Sequence, residues 1–194
     1  MPQTDNLHRL NERAEVDLQL IRSMMQRRVK VVPMPGWGIF AIGLIGLITA
    51  YFTRNLQSID WIAAWGIAAI VAVSVALLIS NWHIHQSGKS IYVGSYNRFW
   101  LNLLPGFFSA ALLSGLLIAL DHPEFLSALW LLLYGVAVSA AGSHSIPLVR
   151  WMGAAFLLLG TVSVFFPSQN LDMALGFGGL HLLFGVLITR ANDD

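Results

Sequence analysis

Six long apolar stretches account for most of this chain, and they constrain its fold more than any other feature. A helix needs about 20 mainly apolar residues to cross the hydrocarbon layer of a bilayer, and each stretch is close to that length. No stretch carries a charged side chain at its centre, and no alternating strand pattern is present. The sequence therefore predicts an all-α membrane protein, a six-helix transmembrane bundle. The stretches cover approximately residues 37–54, 61–82, 100–120, 125–142, 147–166 and 173–189.

The composition favours the same fold. Of the 194 residues, 56% are hydrophobic and 11% are charged. Soluble domains carry about 25% charged residues, so the lipid bilayer is the first partner that we expect for this chain. The formal net charge of +1 argues against nucleic acid as a partner. Cysteine is absent, which excludes disulfides and thiolate chemistry.

The distribution of basic residues predicts the orientation of the chain. If both ends of the chain lie on the same side, ten of the eleven Lys and Arg residues fall on that side, and only Arg54 falls on the other. Because basic loops remain in the cytoplasm, the N-terminus and the C-terminus are both predicted to be cytoplasmic. The first thirty residues lack the apolar stretch of a cleaved signal peptide, so we expect the first span to be retained.

Residues 1–34 form a predicted domain of their own. Between Leu7 and Met25, apolar side chains recur every three or four positions, which is typical of an amphipathic helix. Our preferred interpretation is a helix that lies along the cytoplasmic headgroups. The alternative is a helix that packs on a protein partner or on a second copy of the chain. Residues 35–190 are then the six-span transmembrane domain, and residues 191–194 are a cytoplasmic tail.

The most distinctive local pattern lies in the sixth stretch, where GFGGLHLLFG begins at residue 176. Spacings of three and four residues place Gly178, His181 and Gly185 on one helical face. Glycine permits close approach of a neighbouring helix, so Gly178 and Gly185 are predicted to be helix-packing residues inside the bundle.

His181 is the candidate for a buried polar site. It would lie near the middle of the bilayer and away from lipid, where a polar side chain is a functional hypothesis. Tyr134 in the fourth span is a candidate partner, with Ser109 and Ser114 as alternatives. The simpler interpretation is structural, because a single hydrogen bond can satisfy a neutral histidine.

No motif predicts a catalytic, cofactor or metal site. His83, His85 and His144 all lie near the inner boundary, but His83 and His85 are two positions apart and point to different sides of a helix. Ser143 together with His181 superficially resembles an intramembrane serine protease, yet Ser143 lies at the wrong end of its helix for that mechanism. The chain is therefore predicted to be non-enzymatic and without a cofactor.

Two function classes remain open. We favour an accessory, sensory or scaffold protein that acts through helix packing and its cytoplasmic N-terminal helix. The alternative is a small-solute transporter or channel with a site near His181, since Pro105-Gly106 and the glycine run are the helix interruptions typical of transporters. No charged residue lies at mid-membrane to couple ions, so such a route would carry a neutral solute.

Several runs of residues resemble an uncharacterised bacterial family of small six-span membrane proteins. The resemblance covers nearly the whole chain, although its motifs are mostly glycine and aromatic spacers. It implies a multi-pass protein of the bacterial inner (cell) membrane and no assigned activity. The runs are Ile21 to Met25, Pro35 to Gly38, Leu129 to Gly135, Met152 to Gly160 and Gly176 to Gly185.

Overall fold

The computed structural model describes residues 15, 17–19, 34–56, 58–87 and 91–193. The chain divides into two units, residues 1–30 and residues 31–194. Residues 15 and 17–19 of the first unit are helical, and the rest of the predicted amphipathic helix lies outside the described residues. In the second unit, the described residues form helices joined by short turns, without a strand. The predicted all-α fold is confirmed.

Five helices precede a composite last span. We call the last span the sixth span; it consists of α6, a π-helical part that we call the π-segment, and α7, which follow one another without a break. Short 3-10 turns lie on either side of α4, at Pro123–Phe125 and Gly142–His144. The helices are α1 (Gly36–Thr53), α2 (Ser58–Ser87), α3 (Ile91–Ala119), α4 (Leu126–Ala141), α5 (Pro147–Phe165), α6 (Gln169–Met173), the π-segment (Ala174–Leu180) and α7 (His181–Asp193).

Within the described residues, six helical spans are long and apolar enough to cross a membrane. They coincide with the six predicted stretches, which makes this a multi-pass membrane protein. Their outward surfaces are apolar, because large side chains on four different spans or their flanks are at least 70% exposed. Such a surface is stable only where lipid covers it. The most exposed examples include Phe52, Ile59, Phe108 and Phe165.

The proline in the third span does not interrupt it. Pro105 lies inside α3, and the helix continues on both sides of it. Membrane helices tolerate proline where neighbouring groups satisfy the freed backbone. The irregular backbone lies instead in the sixth span, where the glycine-rich π-segment departs from α-helical hydrogen bonding.

Close helix packing is concentrated on one side of the bundle. α4 packs extensively on α5 and α3, and α1 packs on the sixth span and on α2. Leu131, Phe156 and Ile188 are completely buried between these elements. α2 and α3 make no extended contact with each other along their described residues. These two helices are therefore not closely packed on each other.

Candidate functional site

His181 and Tyr134 form a hydrogen-bonded pair inside the bundle. The Tyr134 hydroxyl lies 2.8 Å from His181 Nε2. His181 is only 1% exposed, and it is near the middle of the span that runs from Gln169 to Ala191. Ser114, an alternative partner in the sequence, instead accepts a hydrogen bond from Trp130 Nε1 at 3.0 Å.

Aromatic rings hold this pair in position. The Phe177 ring is stacked on the His181 ring with an interplanar angle of 19° and a centroid distance of 6.0 Å. The Phe156 ring meets His181 edge-on at 5.3 Å and Tyr134 at 4.7 Å. Such ring pairs add stability beyond the burial of their area. The imidazole is therefore tightly oriented by three neighbouring rings.

The structure separates His181 from the two glycines that share its predicted face. A Cβ atom on Gly185 would lie 2.7 Å from Phe40 N, and one on Gly178 would collide with Leu47, so both glycines pack on α1. His181 points instead towards Tyr134 on α4. The π-segment lies between Met173 and His181 and contains Gly178, whereas Gly185 follows His181 in α7.

Two buried nitrogen atoms, one in this pair and one in a nearby tryptophan, have no hydrogen-bond partner. They are His181 Nδ1 and the indole Nε1 of Trp65, a residue that is 7% exposed. The carbonyls of Gly176 and Phe177 lie near the imidazole, but neither has hydrogen-bond geometry with Nδ1. An unmade hydrogen bond costs a buried polar group about 1–3 kcal/mol. Trp65 Nε1 is therefore available to a ligand, whereas His181 Nδ1 has the two backbone carbonyls beside it.

Both residues line one elongated cavity of about 420 Å³. One long wall is α2, from Trp61 to Ala76, and residues of the other five spans form the remaining walls. The lining is almost entirely apolar, and none of its residues carries a formal charge. The volume lies within the range of small-molecule sites. The sequence did not predict this cavity, because the cavity depends on the packing of α2 relative to α3.

A second polar cluster at the start of the sixth span was also missed by the sequence reasoning. Asp172, 6% exposed, accepts hydrogen bonds from Ser127 Oγ at 2.9 Å and from Ser168 N at 3.0 Å. Asn170 donates to the Ala50 carbonyl at 2.9 Å and accepts from Thr53. Asp172 lies four residues after Ser168, the residue that precedes α6, so the pair does not have the spacing of three that marks a capping box in a sequence. The cluster is fully partnered and ties together three spans.

The histidines near the predicted inner boundary do not form a recognisable metal site. His83 and His85 lie in the last turns of α2. Across the described residues, no group of three His, Cys, Asp or Glu side chains could hold a metal ion. The cavity at His181 is therefore the site that we consider further.

Comparisons with known proteins leave the cavity as the basis for assigning a function. The resemblance to small six-span bacterial proteins stays an expectation. The structure supports only the six helices that are long and apolar enough to cross a membrane. No protein-family model, curated protein or solved structure matches this chain.

Proposed function

We propose that this chain is a non-enzymatic accessory or sensory membrane protein that binds a lipophilic small molecule in the cavity beside His181. The observation that carries the proposal is the cavity itself, a space of about 420 Å³ with an apolar lining and two unpartnered nitrogens. Ligand sites commonly combine an apolar wall with a few polar groups that orient the ligand.

The lining selects the class of ligand. A polar solute that entered this cavity would lose its hydration and regain few hydrogen bonds, which is unfavourable by several kcal/mol. A lipophilic molecule loses nothing comparable when it moves from the bilayer into an apolar cavity. The sequence suggested a site for a neutral solute near His181. The apolar lining restricts that solute to lipophilic molecules.

The seam between α2 and α3 provides the access route in this proposal. Both helices line the cavity, yet they make no extended close contact with each other along their described residues. A molecule dissolved in the bilayer would thus enter sideways, without crossing a polar surface. This arrangement suits a protein that samples the membrane rather than the aqueous phase.

The packing glycines have a role inside the chain. Gly178 and Gly185 are both buried against α1, so they do not offer a surface to another protein. A scaffold or sensory partner would instead bind the N-terminal helix, which the sequence predicts on the cytoplasmic side.

Ligand binding can be tested with a photoreactive probe, a decyl chain that carries a diazirine, added to the protein in lipid nanodiscs. We expect saturable adducts on cavity residues, in addition to unsaturable adducts on lipid-facing residues. Gly66 lines the cavity, and a Cβ atom there would meet nothing within 4 Å. Gly66→Phe should therefore fill part of the cavity and remove most of the saturable adducts.

Gly115→Phe is the matched control for this experiment. Gly115 also has open space around its Cβ position, but it does not line the cavity. This variant should keep the saturable adducts of the wild type. The proposed function is refuted if the wild type gives no saturable adducts, or if the two variants give equal amounts of saturable adducts.

We also propose that both ends of the transmembrane domain face the cytoplasm in a bacterial inner membrane. The beginning of α1 lies beside the end of α7, since a Cβ on Gly36 would meet Gly185 and Thr189. Both ends are thus on one side of the bundle, and the positive-inside rule assigns that side to the cytoplasm.

The absence of cysteine makes this orientation simple to test. In intact spheroplasts, we expect an impermeant maleimide to label His122→Cys, because His122 precedes α4 on the predicted outer side. Ala191→Cys, at the other end of the bundle, should react only after the membrane is permeabilised. The reverse pattern of labelling would show that the chain is inserted with its ends outside.

A further inference from the structure

We infer that the ligand is a neutral ring compound with carbonyl oxygens and an apolar tail, the chemical class of the isoprenoid quinones. This inference rests on the proposed function, because it names the kind of molecule that the cavity would hold. Three features of the cavity carry it: its unpartnered nitrogens, its aromatic walls and its length.

The unpartnered nitrogens call for a hydrogen-bond acceptor. An indole N–H can only donate, and Trp65 Nε1 is buried without an acceptor. If Tyr134 donates to His181 Nε2, then the single N–H of the neutral imidazole is on Nδ1, which is a donor as well. A carbonyl oxygen on the ligand would complete the hydrogen bonding of Trp65, of His181 or of both.

The ligand must also be uncharged. None of the residues that line the cavity carries a formal charge that could pair with an ionic group. An unpaired charge in such a place would be very costly. Fatty acids and other ionised amphiphiles are therefore poor candidates for the polar end of the ligand.

Aromatic side chains surround the place where the two nitrogens lie. The Trp65 and Phe177 rings are 6.4 Å apart, and Phe177 stacks on His181. Phe107 of α3 and Trp130 of α4, also in the lining, are 6.3 Å apart. Flat rings stack favourably on such surfaces. A conjugated ring is thus better matched to this end of the cavity than an acyl ester.

The length of the cavity accounts for the tail. The α2 wall from Trp61 to Ala76 covers 16 residues, and the 15 steps between its ends give about 22 Å of helix. On the α2 wall, the aromatic side chains lie towards Trp61 and small aliphatic residues such as Ala69, Ala72 and Ala76 line the rest, while α3 adds Phe99 and Trp100 to the lining. A ring at one end and an isoprenoid or alkyl chain along the remainder would fill this shape.

Competition against the decyl diazirine probe tests the inference. We would compare a decyl-substituted benzoquinone with decylbenzene, which lacks the oxygens, and with decyl acetate, which lacks the ring. The quinone should displace the saturable adducts at a concentration roughly tenfold lower than decylbenzene, the effect of one or two net hydrogen bonds. Decyl acetate should be several-fold weaker than the quinone. The quinone absorbs part of the light that activates the probe. The yield of unsaturable adducts measures this loss and is used to correct the yield of saturable adducts.

Trp65→Phe should remove most of the advantage of the quinone over decylbenzene, while decylbenzene itself competes as before. Trp65 Nε1 has no partner within the described structure, so this change breaks no internal hydrogen bond. Trp82→Phe is the control, because Trp82 is 52% exposed, packs edge-on against Trp37 and does not line the cavity. It should retain the wild-type preference for the quinone.

The outcomes separate the two proposals. If decylbenzene and the quinone compete equally, the site binds lipophilic molecules but does not recognise carbonyl oxygens, and the inference is overturned. If decyl acetate matches the quinone, the ring is not recognised and the quinone class is overturned. If the probe gives no saturable adducts at all, the proposed function fails as well.

Discussion

Leucine in place of Gly46 is expected to destabilise the transmembrane bundle by at least about 3 kcal/mol. A Cβ atom at this position would lie 2.5 Å from Phe177 O and 2.9 Å from Gly178 N. These are backbone atoms of the π-segment, so no side-chain rotation can relieve the clash. α1 and the sixth span would have to move apart, and the contacts along their whole interface would be lost.

Two further features make this the largest effect that we expect. The same interface includes Gly43, whose Cβ position is 2.7 Å from Leu182 N, and Gly185, which lies against Phe40. Small residues allow this close approach of membrane helices, and much of their association energy comes from it. A single bulky side chain in the middle therefore disturbs the contacts on both sides.

The unfolding free energy can be measured by steric trapping or by SDS titration of the protein in mixed micelles. Gly115→Leu is the matched control, since a Cβ there meets nothing within 4 Å. It adds the same side chain to a membrane helix and should leave the unfolding free energy within about 0.5 kcal/mol of the wild type. Equal stability of the two variants would contradict the packing described for α1 and the sixth span.

Alanine in place of Asp172 is expected to cost about 3 kcal/mol of stability. Asp172 accepts hydrogen bonds from Ser127 Oγ and from Ser168 N. Its removal leaves a buried hydroxyl on α4 and an unsatisfied N–H at the beginning of α6. Each hydrogen bond to a charged group contributes about 1.5–3 kcal/mol, so losing two at a buried site is expensive.

Asp172→Asn and Ser127→Ala divide this effect into parts. Both hydrogen bonds go to the same oxygen, Oδ2, so an asparagine whose amide oxygen takes that place keeps both bonds in a weaker, uncharged form and should recover about half of the lost stability. Ser127→Ala removes one of the two hydrogen bonds and should cost about 1.5 kcal/mol. The same unfolding titration measures all three variants. Wild-type stability of Asp172→Ala would show that the cluster does not hold α4 to the sixth span.

The elements of the fold follow from composition and length. An uninterrupted apolar stretch of about 20 residues has only one stable arrangement in a bilayer, a helix that satisfies its own backbone. All six predicted spans are therefore present, and their ends differ from the predicted ends by only a few residues at most boundaries. The largest difference is in the third span, where α3 begins at Ile91 and not near Trp100.

Parts of the candidate site also follow from local sequence. His181 was recognisable because a polar residue near the middle of an apolar span is costly unless it has a partner. Tyr134 was a candidate partner because it is predicted at a similar depth in the membrane. In the structure, its hydroxyl lies 2.8 Å from His181 Nε2. Gly178 and Gly185 were recognisable because small residues seven positions apart mark a packing face.

The sequence by itself determined six helices that are long and apolar enough to cross a membrane, because hydropathy depends on each residue and its immediate neighbours. Only the tertiary structure decided which helices touch. Gly178 and Gly185 pack on α1 whereas the His181 side chain meets Tyr134 on α4, and helical periodicity alone does not say which neighbour each residue meets. The cavity lies where α2 and α3 are not closely packed, and the distance between two helices depends on side chains from every part of the chain.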